Sequence, residues 1–312
     1  MEATTAKGAT PGGFPPLGVA RRRRGEDVIK ALLFLAAVVS VLTTIGIVFA
    51  LVEESIPFFK DVGTRFFTDG EWTPLFNDPE YGIWPLLNGT LLITGIGILV
   101  AIPLGLGTAV YLSEYATPRV RRIIKPIIEV LVGVPTIVFG YFALTFVTPL
   151  LVQDLLGINV QFNALAAGIV VGIMIMPTIA SISEDAMSAV PQGLREGAYG
   201  LGASKRQVAT RVVFPAAISG IVASIVLGVS RGIGETMIVL IAAGLKPNTG
   251  LNPTEGYETI TTFMGSTAKG DNPAGTIGYE AIFATGLTLF VLTLLMNMIA
   301  IRFVRRFREV YD

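Results

Sequence analysis

Residues 195–215 read REGAYGLGASKRQVATRVVFP, and this stretch is the most informative one about the fold. Pro191, just before it, suits the first turn of a helix, and Gly202 suits the left-handed residue just past a helix end. Ser204 suits the N-cap of a second helix, with Gln207 three residues later as its partner in a capping box. The stretch therefore predicts two short helices joined by a glycine turn.

The chain around this stretch is too apolar for an ordinary soluble domain. Hydrophobic residues make up 52% of the 312 residues and charged residues 15%, and the mean hydropathy is +0.68. These values indicate a membrane protein. Apolar runs on both sides of residues 195–215 argue against a DNA-binding helix-turn-helix, so no nucleic-acid partner is expected.

The residue types present also narrow the chemistry. The sequence has no Cys and no His, which removes disulfides, thiolate nucleophiles, imidazole bases and the commonest zinc ligands. Its Asp and Glu residues form no cluster of the kind that holds a metal, so we expect neither a metal nor a cofactor. The motif G-x-x-x-x-G-K-[ST] does not occur in the sequence, so any ATP must be bound by another chain.

Six apolar stretches are long enough to cross a bilayer, which takes about 20 residues. The sequence therefore predicts an all-α integral membrane protein with six transmembrane helices. Gly133 and Pro135 are expected to kink or unwind the third of them. The predicted spans are 29–52, 86–112, 127–152, 163–183, 213–244 and 278–303.

The distribution of Lys and Arg predicts the orientation of these spans. With the N-terminus in the cytoplasm, the cytoplasmic segments hold 18 basic residues and the opposite side holds 4. Basic residues collect on the cytoplasmic side, so both termini are expected inside. Residues 1–28 are predicted to be disordered, residues 29–312 to form the membrane domain with a cytoplasmic loop at 184–211, and residues 53–85 and 245–277 to form hydrophilic caps outside.

Arg231 and Glu235 stand four residues apart inside the fifth predicted span, in the sequence SRGIGETMIVL at 230–240. An Arg in the middle of a membrane costs about 2.5–3.5 kcal/mol, so it must face protein or water. On a continuous helix Glu235 lies on the same face and can neutralise it. Three interpretations stay open: an ion pair that fixes helix packing, a proton or ion coupling site, and an arginine on an anion pathway. The glycines beside the pair allow either close packing or a pathway: Gly228, Gly232 and Gly234.

The stretch 195–215 resembles the EAA loop of ABC-transporter permeases, whose pattern is E-A-A, three residues, G, nine residues, I-x-L-P. Gly197 departs from the central Ala, and Val212 and Phe214 replace Ile and Leu; the matching positions are Glu196, Ala198, Gly202 and Pro215. The resemblance implies a coupling helix that docks on an ATP-hydrolysing subunit. It assigns coupling to Arg195, Glu196, Gly197, Ala198, Tyr199, Gly202, Ala203 and Ser204.

Residues 30–310 as a whole resemble the phosphate-specific (Pst) permeases. The resemblance rests on GIGETM after Arg231, on WTPLFNDPEYGIWPLLNGTLLIT, and on VPQGLREGAYGLGAS. The long first cap with Trp72 and Trp84 is more similar to the C-type than to the A-type permease.

This resemblance implies a type I ABC importer (MetI-like) permease fold in the inner membrane. It also implies a non-catalytic subunit that translocates phosphate, with a sister permease, two ATPase subunits and an external phosphate-binding protein as partners. A permease for another oxyanion such as sulfate or molybdate, the A-type sister and a stand-alone secondary anion carrier are the alternatives.

Overall fold

The computed structural model describes residues 24–74, 76, 78–270 and 273–306. Within these residues the structure is helical apart from loops and one isolated antiparallel bridge between Trp72 and Tyr81, which confirms the all-α prediction. Most of the segment predicted to be disordered lies outside the described residues, and from Arg24 onward the chain is helical.

Thirteen α-helices run through the described residues, three of them continued by π-helical turns at Tyr111–Tyr115, Ala143–Leu155 and Ala209–Val213. The helices are α1 (Arg24–Val62), α2 (Arg65–Thr68), α3 (Trp84–Val110), α4 (Pro118–Val132), α5 (Thr136–Phe142), α6 (Ala164–Ser188), α7 (Gln192–Gly200), α8 (Lys205–Val208), α9 (Phe214–Ala216), α10 (Ile218–Ile233), α11 (Met237–Ala242), α12 (Ile260–Thr267) and α13 (Ile277–Arg306).

Five helical stretches are long and apolar enough to cross a membrane. Four of them contain most of the first, second, fourth and sixth predicted spans, and the fifth is Thr136–Leu155. A sixth span is present if the bent pair Lys205–Ala216 and Ile218–Ile233 counts as one. The prediction of six spans is therefore met by five continuous stretches and one broken one.

The third span was wrongly predicted as 127–152. Thr117 caps a separate helix by accepting a hydrogen bond from the Val120 amide, and Pro118 occupies the first position of that helix, α4. The helix ends at Gly133, and Pro135 prevents its continuation. Helix α4 is amphipathic, because its charged and apolar residues recur at helical spacing on different faces. The apolar span therefore begins only at Thr136.

The fifth span, predicted as one helix over 213–244, is also broken. The axis turns by 71° at the residue before Ile218, and α10 ends at Ile233. Residues 234–236 then separate α10 from the short helix α11.

The described residues from Leu51 onward form one compact unit, and its centre is the contact of α3, α6 and α10. Glycines let these helices approach closely. A Cβ at Gly172 would lie 2.6 Å from the carbonyl oxygen of Gly97, and one at Gly228 would lie 2.7 Å from a methyl group of Ile175. Small residues at such contacts are typical of membrane helix packing, and this packing fixes the position of α10.

Candidate functional site

The two short helices of the 195–215 stretch form as predicted. Gly202 has φ of +82°, its amide donates to the Tyr199 carbonyl at 2.9 Å, and the Ala203 amide donates to the Ala198 carbonyl at 3.1 Å. This is a Schellman motif, which closes α7. Ser204 and Gln207 then form the predicted capping box of α8.

Arg195 points inward rather than toward a docking partner. Its guanidinium donates to the Met187 carbonyl at 2.7 Å and pairs with Glu114 at 3.1 Å. Glu114 lies in the π-helical turn that continues α3. The ion pair therefore ties α7 to the end of a membrane-spanning helix. Sequence analysis missed Glu114, since 81 residues separate it from Arg195 and no local motif marks it.

The exposed surface of this loop is partly apolar. Leu194 and Tyr199 are 38% and 43% exposed, and Leu201, at the turn, is 91% exposed. Glu196 and Gly197 are exposed beside them. Leucines at this level of exposure next to a fixed turn form a surface suited to a protein partner. Leu201 was not singled out from the sequence.

Glu184 and Asp185 hold α4 against the end of α6. Glu184 is fully buried and pairs with Arg121 and with Lys125, the latter at 2.7 Å. It also accepts a hydrogen bond from the Ser188 hydroxyl at 2.8 Å. Lys125 pairs with Asp185 as well. A buried carboxylate with two cations and a hydroxyl has all its hydrogen-bonding capacity satisfied. The cluster therefore fixes the end of α6, from which the chain continues into α7.

Arg231 and Glu235 do not form the ion pair that was one of the three open interpretations. Because α10 ends at Ile233, the two residues do not share a helical face. Arg231, in the last turn of α10, donates to the Thr178 hydroxyl of α6 at 3.3 Å. Among the described residues it has no carboxylate within ion-pair distance.

Glu235 instead organises the break between α10 and α11. Its Oε1 accepts hydrogen bonds from the amides of Met237 at 3.0 Å and Ile238 at 3.2 Å. Its carbonyl oxygen accepts one from the Thr261 hydroxyl at 2.7 Å. A carboxylate on the first amides of a helix is stabilised by the helix dipole. Glu235, 7% exposed, is therefore a cap that connects α11 to α12.

The glycines near Arg231 serve mainly for packing. A Cβ at Gly232 would lie 2.9 Å from the Ile175 side chain, and Gly228 meets the same residue. Gly234 is exposed and lies against nothing but its own helix backbone. Close packing of α10 on α6 thus fixes the backbone of Arg231, while its partly buried side chain reaches Thr178, which is also partly buried.

Comparisons with known proteins place this geometry in a known context. Residues 97–309 match the family model described as binding-protein-dependent transport system inner membrane component. The chain is 33% identical to the probable ABC transporter permease protein YqgH of Bacillus subtilis, over 92% of each chain. It is also 33% identical to the phosphate transport system permease protein PstC of Mesorhizobium japonicum, over 90% of each.

Solved structures resemble the fold. One is a bacterial alginate ABC transporter in complex with an alginate pentasaccharide-bound periplasmic protein, with a TM-score of 0.62, 18% identity and coverage of 92% of this chain and 99% of that one. The other is the inward-facing MetNI methionine ABC transporter, with a TM-score of 0.59, 20% identity and coverage of 73% and 98%.

Proposed function

The chain belongs to the family of binding-protein-dependent transport system inner membrane components, and from this we propose that it is the C-type permease subunit of an ATP-driven phosphate importer. Its fold is the MetI-like permease fold of type I ABC importers, as the resemblance implied. Relatives of similar length named as phosphate transport permeases support phosphate as the substrate. The chain is a multi-pass membrane protein.

The observation that carries the proposal is the state of Arg231. This residue lies 13 positions beyond the start of α10 at Ile218, which is roughly 20 Å along a helix that rises about 1.5 Å per residue. It has one hydroxyl partner and no carboxylate partner among the described residues. A guanidinium stays charged at any accessible pH, and its planar fork matches two oxygens of a phosphate. We therefore assign Arg231 to the substrate pathway.

Glu235 has a supporting part in this account. By capping α11 it fixes the start of that helix, directly after the end of α10, which carries Arg231. We propose that it acts on the pathway through the backbone, as a positioning residue.

The coupling loop delivers the motion. Exposed Glu196, Tyr199 and Leu201 are proposed to contact the ATPase subunit, while Arg195 transmits movement to α3 through Glu114. Gly197, Ala198, Gly202, Ala203 and Ser204 give the loop its shape. The chain itself is proposed to be non-catalytic, with ATP hydrolysed by two partner subunits.

The remaining assembly follows from the same proposal. A sister permease completes the pathway, and an external binding protein presents phosphate. Both termini lie in the cytoplasm, so the cap segments, 53–85 and 245–277, lie outside. Because the pathway is shared between two permeases, the half-exposed face with Arg231 and Thr178 is proposed to line it.

The direct test is uptake of labelled phosphate by vesicles that contain the complete complex. Uptake is expected only with the ATPase, ATP and the binding protein, and excess sulfate is expected not to compete. Uptake without the ATPase would support a secondary carrier, and competition by sulfate or molybdate at equal concentration would indicate a different oxyanion permease.

A further inference from the structure

A cavity of about 440 Å³ opens in the cap segments, away from Arg231. Its walls are largely apolar and aromatic, with Trp72, Phe76 and Phe263 among them. Three hydroxyl residues, Thr73, Ser266 and Thr267, add a few polar atoms. The Trp72 ring is held in place in the cavity wall, because it packs edge to face on both Tyr81 and Phe263. The ring centroids are 5.6 and 4.8 Å apart.

A single carboxyl, that of Glu258, lines this cavity. Glu258 is 7% exposed, and its side chain has neither a hydrogen bond nor an ion pair to any residue that the structure describes. Burial raises its pKa to about 8. A buried carboxyl without a partner is costly to a folded protein. Glu258 is therefore suited to receive a group that enters from outside the chain.

The overall charge of the cap segments favours a cation. The cap segments hold four basic residues and ten acidic ones: Glu53, Glu54, Asp61, Asp69, Glu71, Asp78, Glu80, Glu255, Glu258 and Asp271. Such a surface repels free anions and attracts positive groups. A positive group on a protein that docks on the outer face is therefore attracted to these segments.

We propose that the cavity receives a lysine side chain of the external binding protein, with the ammonium group at Glu258. This inference rests on the function proposed above. The apolar stem of a lysine matches the apolar walls, and the aromatic rings favour a nearby cation. An ammonium needs only three acceptors, which one carboxyl and nearby hydroxyls supply, whereas the five donors of an arginine would not be satisfied there.

Entry of the cation would ionise Glu258, because an opposite charge stabilises the carboxylate. The buried pair would then be formed only in the docked complex. When one partner of a buried charge pair at the centre of an interface is removed, the binding affinity falls strongly. The cavity would therefore act as the anchor point that places the binding protein above the pathway.

The test measures binding of the phosphate-loaded binding protein to the complete transporter in lipid nanodiscs. We expect Glu258→Gln, a change close to isosteric, to weaken this affinity at least tenfold. Ser266→Leu, which narrows the cavity and keeps the carboxyl, is expected to weaken it as well. Glu80→Gln is the matched control, since it makes the same Glu-to-Gln change at an exposed position of the same caps, and it is expected to change the affinity by less than about threefold.

A carbodiimide cross-link identifies the partner group. The expected product is an amide between Glu258 and one lysine of the binding protein, absent from Glu258→Gln. Equal affinity of the parental protein and Glu258→Gln, equal losses with Glu80→Gln, or a cross-link to the sister permease would overturn the inference. A parental complex that never binds the phosphate-binding protein would instead overturn the proposed function, and the inference with it.

Discussion

Arg195 of the coupling helix α7 pairs with Glu114 at the end of the α3 helical stretch at 3.1 Å, and the two side chains are only 11% and 4% exposed. The pair joins a cytoplasmic helix, in the proposed orientation, to a membrane span. Because the same guanidinium also binds the Met187 carbonyl of α6, one side chain links α7 to two spans.

Breaking this pair is expected to uncouple transport from ATP hydrolysis. Arg195→Gln leaves the Glu114 carboxylate buried without its cation, a change that typically costs about 3–5 kcal/mol. We expect a lower melting temperature and at least a tenfold loss of phosphate uptake per ATP hydrolysed. Arg206→Gln, at an exposed position of α8, is the control. Normal coupling in Arg195→Gln would show that the pair is only a local contact.

The glycine turn is predicted to matter for its backbone and not for space. Gly202 has positive φ, but a Cβ there would meet nothing within 4 Å. Gly202→Val is therefore expected to strain α7 by about 1–2 kcal/mol, whereas Gly202→Asn, a residue that tolerates this conformation, is expected to be milder. ATPase stimulation in membranes measures both, and equal activity of the two variants would contradict the conformational explanation.

Glu258 gives a pH prediction with a definite sign. Its carboxyl has a pKa of about 8 in the folded chain against an ordinary 4.5. Between these values the folded state keeps a proton that the unfolded state has lost, so the contribution of Glu258 lowers stability as pH rises from about 5 to 8. Glu258→Gln should melt higher than the parent at pH 8.5 and close to it at pH 5. A constant difference between the two pH values would contradict this assignment.

The ends of short helices could be predicted from the sequence because their signals are local. Gly202, Ser204 and Gln207 act within one turn of their own backbone, and the structure has each of them where the pattern indicated. Apolar length likewise identified most of the spans. Local chemistry and bilayer thickness are enough for both.

The contacts of the charged residues could not be predicted in this way. The assumed pairing of Arg231 with Glu235 required a continuous helix, but α10 ends at Ile233. The segment after it contacts Thr261, a residue distant in sequence that donates a hydrogen bond to the Glu235 carbonyl. The Arg195–Glu114 pair depends on how α7 folds back against α3. The start of the third span was predicted wrongly for a related reason. The apolar residues of the amphipathic α4 continue up to Gly133, so the sequence alone does not separate them from the span that follows.

Phosphate uptake by Arg231 variants tests whether Arg231 belongs to the substrate pathway. Thr178→Val removes the hydroxyl partner of Arg231 but keeps the charge, so we expect it to lose less uptake than Arg231→Gln. Arg231→Lys keeps the charge without the planar fork and should be intermediate.

The decisive variant is Arg231→Gln, alone and with Glu235→Gln. Because the two residues do not pair, neutralising Glu235, which as Gln keeps an acceptor for the α11 amides, is expected not to rescue Arg231→Gln. We expect both variants to assemble with the ATPase and to bind the external protein, but to lose at least a hundredfold in the rate of phosphate uptake. Near-parental phosphate uptake by correctly assembled Arg231→Gln would contradict the account.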